Sequence, residues 1–473
     1  MLSLSNLWKL APAGAAWLML SAIAAADDWN NSGKNPGRNA LSAEIGPESA
    51  EILWSGGRTS LIAWQPVIEG ERVFMVRQSG WPSDEPGASP VVAMDLNTGE
   101  ELWAEHIPFS DGDWTTWIAG VRDGKVYAGR SGNGASVSAK LYALDAADGH
   151  TLWISEDEID AGAYDGVVFA PNGDLIIGSF MDIWRISAAD GSTVWHSPRT
   201  GSVSGTCGAA LHGDAVYVAD AVYGGTEIVR YDLATGAEMY ASDVMPGFTI
   251  QNTPMCGPDG TIYLSRTQKN PDVDYFYALE DDGTQITEKW HVPAAWTTTS
   301  EFGIGPDGSV YMMAPGYELV RLDPEDGTQL NTTGPLDGFS KPHMAIDADG
   351  KIFLSNGAFN TGRLYSYDAD LTWRWDVPVT NINIGGPALG SHGTLVVCGV
   401  STDVRAYRTE IPCPADVNDD NIVDIDDLFQ VLGMWGTCDD CPEDINDDGL
   451  VDIDDIFAVL AEWGPCPGKR GRD

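Results

Sequence analysis

Two short acidic stretches near the C-terminus hold the side chains best suited to chemistry. Asp416, Asn418, Asp420, Asp424 and Asp427 stand at positions 1, 3, 5, 9 and 12 of a twelve-residue loop. Asp444, Asn446, Asp448, Asp452 and Asp455 hold the same positions in a second. Position 7 would add a main-chain carbonyl, from Ile422 and from Leu450. Oxygen at every one of these positions suits a hard cation, and Ca²⁺ takes about six to eight oxygens in flexible geometry. Two calcium ions are therefore expected, one per loop. Position 6 needs a sharp turn, supplied by Gly449 in the second loop and by Asn421 in the first. Asparagine reaches the left-handed region less readily than glycine, so the first site is expected to be the weaker.

Each loop runs into an apolar period of three to four residues, Leu428, Phe429, Val431, Leu432 and Trp435, then Ile456, Phe457, Val459, Leu460 and Trp463. These read as short helices with one apolar face. The segment is a tandem duplication at a constant offset of 28 positions, and it carries 16 acidic residues and no basic one between Cys413 and Cys466. A disordered acidic tail would not keep ligand spacing and helical stripes in both copies. Cys413, Cys438, Cys441 and Cys466 bracket the repeats. Two structural disulfides are expected, paired either 413–438 with 441–466 or 413–466 with 438–441. Cys438-Asp439-Asp440-Cys441 lacks the second ligand pair of a zinc site and the βαβ context of a redox motif.

Most of the chain, residues 27–411, follows a different repeat. Val92 to Trp103 reads as a strand, an Asp-x-x-Thr-Gly turn and a strand ending in tryptophan, with Gly99 at the turn position that needs φ > 0. Copies end at Trp153, Trp195, Tyr240, Trp290, Leu330 and Trp375, and an eighth, Val404 to Tyr407, stops before its turn. A turn and an apolar strand precede each copy. A period of roughly 40–50 residues with several strands per repeat marks a β-propeller, here of eight blades. The strand around Trp54, residues 51–55, has no repeat of its own and is expected to complete the eighth blade, pairing both free edges. The fold class is therefore all-β, an eight-bladed propeller, followed by a small α-helical calcium-binding domain over residues 412–466 and a basic tail, 467–473.

Lys9, the apolar run Leu10 to Ile23 and the small residues Ala24 to Ala26 read as a cleaved secretory signal over residues 1–26, implying a secreted, cell-surface or periplasmic protein. No other stretch is long enough to span a membrane, so no membrane insertion is expected. The net charge of −44 disfavours polyanionic partners, so no nucleic acid is expected. Cys207 and Cys256 fall on neighbouring inner strands, where they could be bridged or held apart. Cys398 reads as a buried small apolar residue.

The Asp-x-x-Thr-Gly-x-x-x-Trp repeats resemble the pyrroloquinoline-quinone-like (PQQ-like) propeller superfamily. It holds quinoprotein alcohol dehydrogenases and non-catalytic relatives such as the outer-membrane assembly lipoprotein BamB. The resemblance covers residues 29–410, and the opening Trp29 to Ser42, with Gly33-Lys34-Asn35-Pro36 and Arg38, is similar to the lead-in such proteins carry. Residues 413–466 resemble a dockerin with EF-hand-type loops, which implies a cohesin-like or other surface receptor as partner. They depart from cohesin-binding forms at loop positions 10 and 11, Ile425-Asp426 and Ile453-Asp454, where hydroxyl residues are usual. The cysteine frame looks like that of dockerin-like tails on exported planctomycete-type proteins.

Catalytic chemistry finds little purchase. The seven histidines form no H-E-x-x-H, and there is no G-x-S-x-G elbow. Gly303-x-Gly305-x-x-Gly308 runs into a strand rather than a helix, so it offers no phosphate site. A quinoprotein reading would require PQQ with a calcium-ligand set in the channel, and adjacent cysteines in many relatives. The chain has no Cys-Cys pair, so PQQ is not expected. The favoured reading is a non-catalytic binding or scaffold propeller for a protein or carbohydrate ligand. The alternatives are a quinoprotein oxidoreductase and, from the company dockerins keep in polysaccharide breakdown, a carbohydrate-active propeller. Trp64 and Trp117 occupy equivalent places in successive blades, where they either stack a planar ligand or pack between blades.

Overall fold

The computed structural model describes residues 28–56, 65–77, 90–108, 115–131, 138–160, 166–201, 208–246, 253–266, 274–295, 302–336, 342–358, 360–382, 385–399, 404–409, 413–418, 422–438, 441–446 and 448–466. Residues 1–27, Trp64, Cys207, Asp420, Asn421 and residues 467–473 lie outside them.

The turn chemistry of the repeat sets the local structure. Asp95 Oδ1 accepts from the main-chain N–H of Asn97 and Thr98, at 2.9 and 2.8 Å, and from the Thr98 hydroxyl at 3.0 Å. This folds the chain back at Gly99, whose φ is 71°. The strands on either side, Val91–Asp95 and Glu101–Glu105, pair antiparallel as the outer half of the first blade. Val67–Glu69 and Arg72–Val76 form its inner half. The same antiparallel order recurs in seven further sheets, so eight blades stand among the described residues. The fourth blade carries an extra strand, Met245–Pro246, on its third.

The eighth sheet is made from both ends of the repeat region. Ala388–Gly390, Thr394–Cys398 and Val404–Tyr407 supply three strands. Ile52–Gly56 supplies the fourth, antiparallel to Val404–Tyr407, with Trp54 opposite Ala406.

Closing tryptophans bind blade to blade. Trp103 Nε1 donates to Ala146 O in the turn of the next blade, Trp153 to Ala188 O, Trp195 to Leu233 O and Trp290 to Pro324 O, at 2.9–3.1 Å. Trp54, on the strand that completes the eighth blade, donates to Leu96 O of the first at 2.8 Å, so the ring closes through the same contact. The indole lies on the turn glycine: a Cβ at Gly99 would come within 2.5 Å of the Trp54 ring. Glycine is thus required there for space as well as for φ. In the sixth blade the tryptophan place, opposite Arg321, is held by Asn331 and not by the Leu330 expected from sequence, and the seventh turn carries Leu371 at φ 67° in the glycine place. The tryptophan and the glycine disappear together, as expected of one contact.

The core lies between adjacent sheets, in apolar clusters each shared by neighbouring blades. Trp117 is among these buried residues, 2 % exposed and grouped with Tyr127, Phe169 and Trp184. It packs between blades and is not presented for stacking. Cys256 and Cys398 are buried free thiols, pushed up by burial.

Residues 29–42 make the hub. Trp29 exchanges two 2.9 Å main-chain bonds with Ile68 of the first blade, and Val121 N–H of the second donates to Asn30 O at 2.8 Å. Asn31 Nδ2 donates to Val167 O of the third blade at 2.8 Å. Pro36 O, Gly37 O, Asn39 O and Ala40 O then accept from Leu211, Cys256, Ile304 and Ile346 of blades four to seven, at 2.7–3.0 Å. Gln65 bridges to the eighth, accepting from Gly33 N–H and donating to Pro387 O. The segment therefore visits the inner strands of blades one to seven in order. Trp29, Asn31, Lys34, Arg38, Asn39 and Ala40 are all buried, and Lys34, Arg38 and Ala40 adopt positive φ. Beyond it Glu48 pairs with Lys351 and Arg374 of the seventh blade, and its N–H donates to Thr409 Oγ1. Burial works against the Glu48 charge, but the two cations outweigh it and hold the carboxyl below the ordinary range.

After the ring, two nine-residue helices follow, α1 (Ile425–Gly433) and α2 (Ile453–Ala461). Among the described residues no helix is long and apolar enough to cross a membrane.

Candidate metal centre

Asp424 and Asp452 cap the two helices, each accepting from the N–H two residues on and each in a reciprocal box with the aspartate at N3. Those N3 residues, Asp427 and Asp455, are the twelfth positions of the loops and are fully buried. Asp427 Oδ1 accepts from Val417 and Asn418 N–H, at 2.9 and 3.2 Å, and Oδ2 from Asp424 N–H at 2.8 Å. Asp455 repeats this with Ile445, Asn446 and Asp452. Each loop thus bends around one pinned carboxylate.

The second loop is described almost throughout. Asp444 accepts from Asp448 and Gly449 N–H at 3.1 and 2.7 Å, Asn446 Oδ1 from Asp448 N–H at 3.0 Å, and Asp448 from Leu450 N–H at 2.9 Å. Gly449 takes φ 87°, the turn demanded at position 6. Of the first loop, Asp416, Asn418, Ile422, Asp424 and Asp427 are described, and Asp416 lies 3.4 Å from Cys466 Sγ.

The donor set passes a simple test. A buried carboxylate normally sits beside a cationic group or a metal. Asp427 and Asp455 are buried in a module whose sequence holds no Lys, Arg or His from Cys413 to Cys466. Oxygen is the only donor type at the ligand positions, so the residues fit a hard divalent cation.

Two short antiparallel pairs hold the loops: Ile422–Val423 with Gly464–Pro465, and Gly436–Thr437 with Leu450–Val451. The disulfides are Cys413–Cys466 and Cys438–Cys441, which selects one of the two pairings open from sequence. The core between the helices is small: Ala415, Val423, Val431, Val451, Val459 and Cys466.

The helices differ from the single apolar face expected from their period. Val431 and Val459 point into the core, whereas Phe429, Leu432 and Trp435 are 61, 45 and 54 % exposed, and Phe457, Leu460 and Trp463 are 59, 51 and 49 % exposed. With Ile425 and Ile453 they form a second, outward stripe, Ile-x₃-Phe-x₂-Leu-x₂-Trp, identical in both repeats. The sequence held the signal: eight large apolar residues are more than so small a core can take.

Comparison with known proteins bears on the ring. A family model described as outer membrane protein assembly factor BamB matches residues 87–246. No curated protein matches the chain. Among solved structures, BamB from Moraxella catarrhalis is 15 % identical with a TM-score of 0.50, over 75 % of this chain and 98 % of that one. Quinohemoprotein alcohol dehydrogenase from Comamonas testosteroni is 14 % identical with a TM-score of 0.55, over 82 % of each chain. The computationally designed Ika8 protein is 12 % identical with a TM-score of 0.53, over 76 % of this chain and all of that one. The ring is thus an eight-bladed propeller, and within it residues 87–246 match the BamB family model.

Proposed function

We propose that the chain is an exported, non-catalytic binding propeller attached to a surface receptor by a calcium-folded, dockerin-like module. The observation that carries this reading is the paired outward stripe on α1 and α2. Eight large apolar side chains, repeated at the same helical positions, stand exposed on a module that binds its own core with valines. Such a patch marks an interaction surface. The surrounding acidic residues suit a receptor with an apolar centre and a basic rim. Calcium would hold the loops from which both helices start, so the two stripes would be presented together only in the loaded form.

The propeller is the cargo in this scheme. Its ligand would be a protein or a carbohydrate. The dehydrogenase named above shares the fold at 14 % identity, a likeness that carries the fold alone.

The test is partition of the full chain between washed cell envelopes and supernatant. Retention in calcium, release by a chelator and loss of retention in Phe429→Asp/Phe457→Asp are expected. Retention that ignores both chelator and substitution would end the attachment reading.

A further inference from the structure

The two disulfides close very different lengths of chain, 53 residues for Cys413–Cys466 and 3 for Cys438–Cys441. They are nevertheless the same bond. The repeat offset carries Cys413 onto Cys441 and Cys466 back onto Cys438. The same exchange turns the pair Ile422–Val423/Gly464–Pro465 into Leu450–Val451/Gly436–Thr437. Each loop is therefore built from two pieces of chain. Loop 416–427 is completed by residues 464–466, and loop 444–455 by residues 436–438. In both, a cystine ties the residue three places ahead of the first ligand to the end of the strand paired beside position 7. At the first loop the contact is direct, with Cys466 Sγ 3.4 Å from the Asp416 carboxylate.

We propose that the two cystines are equivalent positioning groups for the cation sites, and that thiol–disulfide exchange releases the sites one loop at a time. The proposal rests on the calcium reading above. In chemical terms a dithiol attacks one sulfur, the cystine S–S bond breaks, and a mixed disulfide forms. The second thiol resolves it, leaving two cysteine thiols and the oxidised, cyclic reductant. Two electrons and two protons pass from dithiol to cystine. An opened cystine removes the covalent tie between the first ligand's end of the loop and the paired strand, and the acidic loop is then held by its own main-chain bonds and a two-residue strand pair. Cys466 is 3 % exposed and its partner Cys413 is half-buried, whereas Cys438 and Cys441 are both half-buried, so the second cystine offers exchange two reachable sulfurs to the first's one and is expected to open first.

The experiment is calcium titration of the full chain by calorimetry. It compares the oxidised wild type, Cys438→Ser/Cys441→Ser, Cys413→Ser/Cys466→Ser and the wild type under graded dithiothreitol. Amide exchange at Asn418 and Gly449 reports each loop separately. We expect each double variant to weaken one site at least tenfold, to speed exchange in the matching loop and to leave the other site unchanged. Mild reduction should reproduce the Cys438→Ser/Cys441→Ser result, and reoxidation should restore it. Two sites of wild-type affinity in both variants would overturn the proposal, as would loss of both sites together in each. An oxidised wild type that takes up no calcium would overturn the calcium reading itself, and with it this one.

Discussion

The ring and the C-terminal module face the same problem, closing a chain built of repeats, and solve it by different physics. The ring closes by burial. Each blade shares an apolar cluster with its neighbour, and the last junction, Trp54 on Gly99, copies the others. The module has four buried valines, an alanine and a half-cystine for a core, too little apolar area for so many ordered residues. It is closed instead by cystines and by buried carboxylates that cap both helices and accept from loop N–H groups, where the proposed cation would sit. The lesson is that acidic density means different things in the two places. On the ring it decorates turns, whereas in the module it occupies the centre.

The largest effect should come from the ring's closing residue. Trp54→Ala removes a nearly buried indole and leaves Leu96 O without its donor, and should cost about 3–5 kcal/mol, measured by denaturant unfolding. A change within error would show that the junction between the last and first blades is not held as the others are.

Next, two turn glycines separate space from conformation. Gly213, with φ 60°, has nothing within 4 Å of a would-be Cβ, so Gly213→Ala should cost only the left-handed strain, about 1–2 kcal/mol. Gly99→Ala adds a collision with Trp54 and should cost clearly more. Equal costs would remove the Trp–Gly contact from the account of the ring.

The smallest effect is electrostatic. Burial opposes the charge of Asp281, but hydrogen bonds from the Tyr217 and Tyr240 hydroxyls, Gly283 N–H and the Arg230 guanidinium hold its carboxyl below the ordinary range. A depressed carboxyl stabilises the fold above the ordinary carboxylate range and loses that contribution as pH falls through the folded value. Asp281→Asn should therefore lower the melting temperature at pH 7 and flatten its decline below about pH 4. An unchanged slope would mean that the junction of the fourth and fifth blades does not respond to this charge.

Much of the ring was legible because its repeat is written in residue types with single uses: glycine where φ is positive, tryptophan where a neighbour must be covered. The path of residues 29–42 was not, since its bonds to blades four to seven run from main-chain carbonyls and have no side-chain period. In the module, the duplication and its two short helices were legible and the helix faces were not. Val431 and Phe429 belong to one apolar run, and only the structure separates inward from outward. The cystines could not be paired from sequence, because both candidate pairings obey the repeat offset equally.

The claim that the ring is self-sufficient and the module is not can be tested by differential scanning calorimetry of the full, oxidised chain with calcium and with excess chelator. Two transitions are predicted in calcium. The chelator should abolish or sharply lower the smaller one, apart from structure the disulfides retain, and leave the larger in place. A thermogram indifferent to the chelator, or one in which the large transition moves as well, would contradict the account.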